Sequence, residues 1–283
     1  MLWHDKTTIF IYMDLKGKVI VITGASSGIG RAMAIEFAKR GANLILGARH
    51  YVELCELGQD LEGRYSIKAV AVQCDVTVEE DCKVLISQAI VTFKRMDILI
   101  NNAGISMRAL FKDTDLSVLK RLMDVNFWGT VYCTKYALPH ITKTQGSIVG
   151  VSSIAGYKGL PGRTGYSASK FAMNGFLDSL REENLKTGVH VMTACPGFTA
   201  SNIRNTALTA TGKQQSESSM NENKMMSAEA VAKLIADGIE NRKRTIIMTT
   251  QGKLTVLLSK FFPAMLDKMV YNVFTKEKDP LLK

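Results

Sequence analysis

The chain has 283 residues, 46% hydrophobic and 22% charged, which excludes disordered and collagen-like chains and suggests one large domain or two small ones. Its formal net charge of +10 comes from Lys and Arg that are scattered rather than clustered; with no nucleic-acid motif in the chain, the excess reads as solvated surface charge. Five cysteines, an odd number with no C-x-x-C pair, argue against a disulfide framework or a structural zinc site and fit a reducing, cytoplasmic compartment.

In chain order, the apolar stretch Ile9 to Met13 is too short for a signal-peptide core, and no apolar run approaches the ~20 residues of a membrane span. Short β-branched runs then alternate with segments of helical period. Strands are expected at Val19–Thr23, Asn43–Ala48, Lys68–Gln73, Ile98–Asn101, Ser147–Ser152, Val189–Ala194 and Thr245–Met248. Helices are expected near 29–40, 51–62, 78–94, 115–140, 165–186 and 227–240. Continuous apolar strands alternating with helices predict an α/β protein: a Rossmann-like, doubly wound αβα sandwich with a seven-stranded, mainly parallel sheet. No Pro/Gly-rich linker divides the chain, so residues 1–283 read as one domain with its core in 15–250. Residues 200–226 are polar, lack a period and read as a lid-like loop. Residues 251–283 form an apolar and basic tail.

The first strand runs directly into Gly24-Ala25-Ser26-Ser27-Gly28-Ile29-Gly30 and then a helix. Glycines at such a turn allow a tight bend, close approach of the backbone to a pyrophosphate, and close helix–strand packing. The free N–H groups and dipole of the following helix favour an anion there.

The spacing T-G-x-x-x-G-x-G resembles that of the short-chain dehydrogenase/reductase family, and further motifs follow in the family's order. Asp75 and Val76 follow the third strand, where the family places an aspartate near an adenine ring. Asn102-Ala103-Gly104 completes an N-N-A-G motif after the fourth strand, and Asn126 stands at the family's helical asparagine. Ser153 ends the fifth strand thirteen residues before Tyr166 in Y-S-A-S-K, which also contains Lys170. Pro196, Gly197 and Thr199 resemble the segment beside the nicotinamide. The match covers about residues 15–250. Met13 to Lys18 resembles the usual start of a family member, which makes Met13 the expected natural start.

Tyr166 and Lys170, four apart on a helix, share one face and can reach one cleft. A free tyrosine titrates near 10, too high for efficient proton transfer at neutrality; a nearby ammonium, together with a nicotinamide cation, would favour the phenolate. The Ser153 hydroxyl can donate to a carbonyl oxygen where charge grows; Ser152 is its rival, disfavoured by the family spacing. By resemblance, Lys170 also holds the nicotinamide ribose and Asn126 holds a water that links Lys170 to solvent. The second strand ends in Ala48-Arg49 where NAD-preferring relatives carry aspartate. A guanidinium there favours a 2′-phosphate, with Ser26 and Ser27 as further contacts, so NADP(H) is expected over NAD(H). The four histidines show no metal-ligand spacing.

In the tail, Leu254, Leu258, Phe261, Met265, Met269 and Val273 recur at spacings of three or four, with Pro263 dividing two short helices. Such a stripe packs on the protein's own core or across an oligomer interface; with Lys253, Lys260 and Lys268 alongside, it can instead lie in a membrane interface. Taken together, the sequence predicts an NADP(H)-dependent oxidoreductase acting on a carbonyl or secondary alcohol of an apolar small molecule, steroid-, lipid- or retinoid-like. The resemblance implies a homodimer or homotetramer paired through the helices near 115–140 and 165–186. Rival readings are a reductase of 3-oxoacyl groups on a carrier protein, and a non-catalytic dinucleotide sensor or scaffold.

Overall fold

The computed structural model describes residues 12–199, 203–215, 225–276 and 280–282. Residues 1–11, and with them all but Tyr12 of the sequence ahead of Met13, lie outside the described residues, as do parts of the predicted lid (200–202, 216–224) and tail (277–279, 283). Seven strands form one sheet: β1 (Val19–Thr23), β2 (Asn43–Ala48), β3 (Ala69–Gln73), β4 (Ile98–Asn101), β5 (Ser147–Val151), β6 (His190–Cys195) and β7 (Thr245–Ile247). Their order is β3-β2-β1-β4-β5-β6-β7 and every pairing is parallel. The strands of β1, β4, β5 and β6 are buried at every position, because helices cover both faces.

On one face α1 (Gly28–Lys39), α2 (Tyr51–Arg64) and α7 (Ala228–Glu240) pack Met33, Phe37, Leu54, Leu61 and Ile235 against the sheet. On the other, α3 (Glu79–Phe93), α5 (Gly129–Thr144) and α6 (Thr164–Glu183) bring Leu85, Ile86, Ile141, Met173 and Leu177. Strand order reverses between β1 and β4, which opens a crevice at the carboxyl ends of the strands. Asp97, 1% exposed, fixes the start of β1: its carboxylate accepts from the Val19 N–H at 2.9 Å and from Arg95 at 2.9 and 2.6 Å. Arg40 ties α1 to α7 through Glu36, Asp237 and Glu240 at 2.6–2.7 Å.

Three regions differ from the sequence reading. The helix expected over 115–140 is α4 (Leu116–Met123), a π-helical turn at Asp124–Trp128, and α5. The turn leaves Asn126 fully buried, its side chain spent on the chain around it. The described part of the predicted lid is also not structureless. Leu208 pairs with both Met107 and Gln214, and it is buried with Met107, Val118 and Leu122 in a small third core. Polar composition hid this anchor, because a single leucine supplies it.

The tail forms α8 (Thr250–Phe261) and α9 (Pro263–Phe274), with Pro263 opening the second helix. Packing of the predicted stripe on the protein's own core is corrected: Leu254, Phe261, Met265, Met269 and Val273 are exposed, and Leu258 is half-buried. Gly252, Leu266 and Phe274 face the body instead. The periodicity marked an apolar face, while contact with the body is made by Gly252 opposite that face on α8 and by Leu266 and Phe274 beside it on α9.

Candidate active site

The cleft at the carboxyl ends of the strands begins at the turn after β1. Gly24 and Gly28 have φ of +65° and +52°, in the left-handed region that favours glycine. A Cβ on Gly30 would stand 2.0 Å from the Gly24 carbonyl oxygen, so α1 lies directly on the turn. Ser27 caps α1 without using its side chain, which leaves its hydroxyl and the first N–H groups of the helix facing the cleft. Ser26, Gly28 and Ile29 line the same floor. These are the features a pyrophosphate cradle requires.

Asn102 lines the cleft but spends its side-chain amide on the Thr23 and Gly24 carbonyls, at 2.9 and 3.2 Å. Thr23, which opens the T-G-x-x-x-G-x-G spacing but was given no role there, accepts from the Asn102 and Ala103 N–H groups at 3.0 Å each. These bonds lock the glycine turn to the N-N-A-G segment. Asp75 and Val76 stand at the far wall, with one Asp75 oxygen accepting from Thr77. At that end Arg49 and His50 are exposed at the start of α2, and Arg49 forms no ion pair among the described residues.

The other end of the cleft holds the predicted reactive groups. Strand alternation separates the two serines after β5. The Ser153 hydroxyl stands beside Tyr166 and accepts from the Ala155 N–H at 3.1 Å, which leaves its proton free to donate. Ser152 turns toward the Cys195 thiol, and its hydroxyl has no hydrogen-bond partner. Both Tyr166 and Lys170 project from α6, with the Lys170 ammonium nitrogen 5.9 Å from the Tyr166 ring centre and donating to the Val151 carbonyl at 2.9 Å. Burial pushes the Lys170 pKa down to about 8 and the Tyr166 pKa up. The Ser153 hydroxyl, then the Arg163 and Arg204 guanidinium groups, pull Tyr166 back down. In the protein alone, burial is thus the largest influence on the phenol.

Of the predicted site residues Asn126 alone does not line the cleft. Its Oδ1 accepts from the Ile105 N–H at 2.8 Å, and its Nδ2 donates to the Ile105 carbonyl and to Ser169 Oγ at 3.0 and 2.8 Å. It sits behind Gly104, where a Cβ would come within 3.2 Å of Asn126 Oδ1 and 3.6 Å of Lys170 Nζ. Pro196, Gly197 and Thr199 form the opposite lip, and the Thr199 carbonyl accepts from Arg204 at 2.6 Å. Leu160, Phe198, Ile203 and Leu208 add apolar wall, and Arg163 and Arg204 polar wall, at this end. The sequence reading indicated the lid-like loop 200–226, which holds Ile203, Arg204 and Leu208, without singling out these side chains.

The family model for short-chain dehydrogenases matches residues 18–211. The chain belongs to the short-chain dehydrogenase family. It is 37% identical over 253 residues to the 11-beta-hydroxysteroid dehydrogenase-like protein 4A of Arabidopsis thaliana, covering 89% of this chain and 83% of that one. It is 43% identical over 192 residues to 11-beta-hydroxysteroid dehydrogenase A of Arachis hypogaea, covering 67% of this chain; that match spans only 54% of the peanut protein. Two solved structures share the fold at 23% identity. A Burkholderia phymatum short-chain dehydrogenase/reductase in complex with NAD gives a TM-score of 0.80, covering 89% of this chain and 96% of that one. A Thermococcus sibiricus alcohol dehydrogenase complexed with 5-hydroxy-NADP gives 0.70, covering 78% and 89%. Within this family's fold the tail adds a back wall. A Cβ on Gly252 would stand 2.6 Å from Ile154, Asp267 pairs with Lys158, and the Phe274 ring lies 5.2 Å from the Arg163 guanidinium. The segment joining Ser153 to Tyr166 is therefore braced along its length by α8 and α9.

Proposed function

We propose that this short-chain dehydrogenase is an NADP(H)-dependent oxidoreductase that interconverts a carbonyl and a secondary alcohol on an apolar small molecule of steroid, lipid or retinoid type. The observation that carries the reading is the convergence of Ser153, Tyr166 and Lys170 at one end of a cleft whose other end is a glycine cradle with an Arg49 unpaired among the described residues. The residues present fit a nicotinamide dinucleotide: Gly24 and Gly30 let α1 lie tightly on the turn, Ser26, Ser27, Gly28 and Ile29 line the floor that would hold its pyrophosphate, Asp75 and Val76 would border its adenine, and Lys170 its nicotinamide ribose. That group supplies or accepts the hydride when bound. Ser153 donates a hydrogen bond to the substrate oxygen, and Tyr166 gives that oxygen a proton in reduction or takes it back in oxidation. Lys170 sets the charge around the phenol, and Asn126 acts one layer behind, through the backbone at Ile105 and through Ser169.

Arg49 supports NADP(H), because its planar fork matches a 2′-phosphate while Ala48 offers no carboxylate to a free 2′-hydroxyl. The apolar lining at Leu160, Phe198, Ile203 and Leu208, with the names of the plant relatives, supports an apolar substrate. Exposed Trp128 and Phe171 on the α5–α6 face support pairing of copies there as a homodimer or homotetramer. Fluorescence titration with NADPH and NADH, on the wild type and on Arg49→Asp, is the direct test. We expect NADPH to bind more tightly, and Arg49→Asp to lose about 10–100-fold in NADPH affinity. Equal affinities in the wild type would refute the Arg49 argument. Binding of either nucleotide with no turnover of steroid, retinal or long-chain carbonyl substrates would refute the catalytic reading of that substrate class.

A further inference from the structure

The tail carries two apolar rows that the fold leaves uncovered among the described residues. On α8 Leu254, Leu257 and Phe261, and on α9 Met265, Met269 and Val273, are each 47–68% exposed. Spacings of three and four put each row on one helix face. Basic residues flank both rows in the same way. Lys253 and Lys260 on α8, and Lys268 on α9, lie roughly 60–100° round the helix from the rows, and on the same side of each. From Thr250 to Lys276 there are four lysines and one acid, Asp267, which is already paired with Lys158.

We propose that this outward face of α8 and α9 docks on an anionic membrane surface. The apolar rows enter the headgroup–acyl boundary and the lysines meet the lipid phosphates and carboxylates. Charge decides for lipid over a second copy of the chain: the face offers lysines and, among the described residues of α8 and α9, no unpaired carboxylate to meet them. The inner side of the same helices lies on residues 154–163, so docking would hold the substrate end of the cleft about one helix diameter, ~10 Å, from the bilayer. An apolar substrate dissolved in lipid would then reach the site without crossing bulk water. The inference deepens the apolar-substrate reading and rests on it for its purpose. Docking itself needs no turnover, so the two can fail separately.

Vesicle flotation of the full chain tests it, using phosphatidylcholine alone and with about 30% phosphatidylserine. We expect binding to the mixed vesicles, at least about tenfold weaker binding in Phe261→Glu/Met265→Glu/Met269→Glu, and binding reduced to the phosphatidylcholine level in Lys253→Gln/Lys260→Gln/Lys268→Gln. All six side chains are exposed, so both variants should keep the wild-type circular dichroism and NADPH affinity. Failure of the wild type to float with mixed vesicles overturns the proposal. So does a solution dimer that the triple glutamate variant dissociates, since the face would then belong to a second copy. Equal binding to both vesicle types overturns the role given to the lysines.

Discussion

Lys170→Met should make the protein more stable and inactive at the same time. The lysine is 3% exposed, its nitrogen donates to the Val151 carbonyl, and no carboxylate among the described residues pairs with it. Burial lowers its pKa from 10.5 to about 8, a gap that corresponds to about 3 kcal/mol of penalty on the charged form. At pH 7 the wild type carries that penalty in full, because the lysine stays protonated in both states. Methionine removes the penalty at similar volume and forfeits the Val151 hydrogen bond, worth about 1 kcal/mol. The net gain is about 1–2 kcal/mol, or about 2–4 °C in Tm for a chain of this size. Between pH 8 and 10.5 the unfolded lysine holds a proton that the folded one has released, so wild-type stability rises with pH relative to the variant. Thermal unfolding of the nucleotide-free proteins at pH 7, 8, 9 and 10 measures the difference, which should shrink steadily above pH 8 and reverse between about pH 9 and 10. A variant that is less stable at pH 7, or an advantage that does not change with pH, would refute the account of Lys170 as a desolvated cation. Loss of turnover alongside the gain would mark a group kept for chemistry at the expense of stability.

Other perturbations probe separate parts of the molecule. Tyr166→Phe should retain nucleotide affinity and Tm while turnover falls about 1,000-fold, and a fall of less than tenfold would remove the phenol from proton transfer. Gly30→Ala places a Cβ 2.0 Å from a backbone oxygen that cannot move without opening the turn, so isothermal titration should find no nucleotide binding. Asp97→Ala strands the Val19 N–H and releases Arg95; chemical denaturation should show a loss of about 3 kcal/mol, with nucleotide affinity of the folded fraction unchanged.

Sheet and cradle were readable because their signals are local. A buried parallel strand such as Ile98–Asn101 must be apolar throughout, and the glycines after β1 answer a backbone clash that no other residue avoids. Tyr166 and Lys170 were picked out by the resemblance of Y-S-A-S-K to the family motif, and helical spacing then fixes their common face. Assigning Ser153 rather than Ser152 required the family spacing, because adjacent strand residues differ only in which side of the sheet they face. Thr23 was visible only as the first residue of the T-G-x-x-x-G-x-G spacing: its role as acceptor for Asn102 and Ala103 depends on the segment after a distant strand. The π-helical turn around Asn126 was equally hidden, as its apolar pattern matches a continuous helix. In the tail the periodicity was real, but period reveals that a face is apolar and not what it meets.

The bracing of residues 154–163 by α8 and α9 has a consequence for synthesis. All seven strands and the glycine turn are complete in the chain before Thr250, whereas Gly252, Asp267 and Phe274 follow them. A nascent chain can therefore assemble its nucleotide cradle first, while the loop between Ser153 and Tyr166 waits for its support. Competence for chemistry waits on α8 and α9 rather than on the sheet.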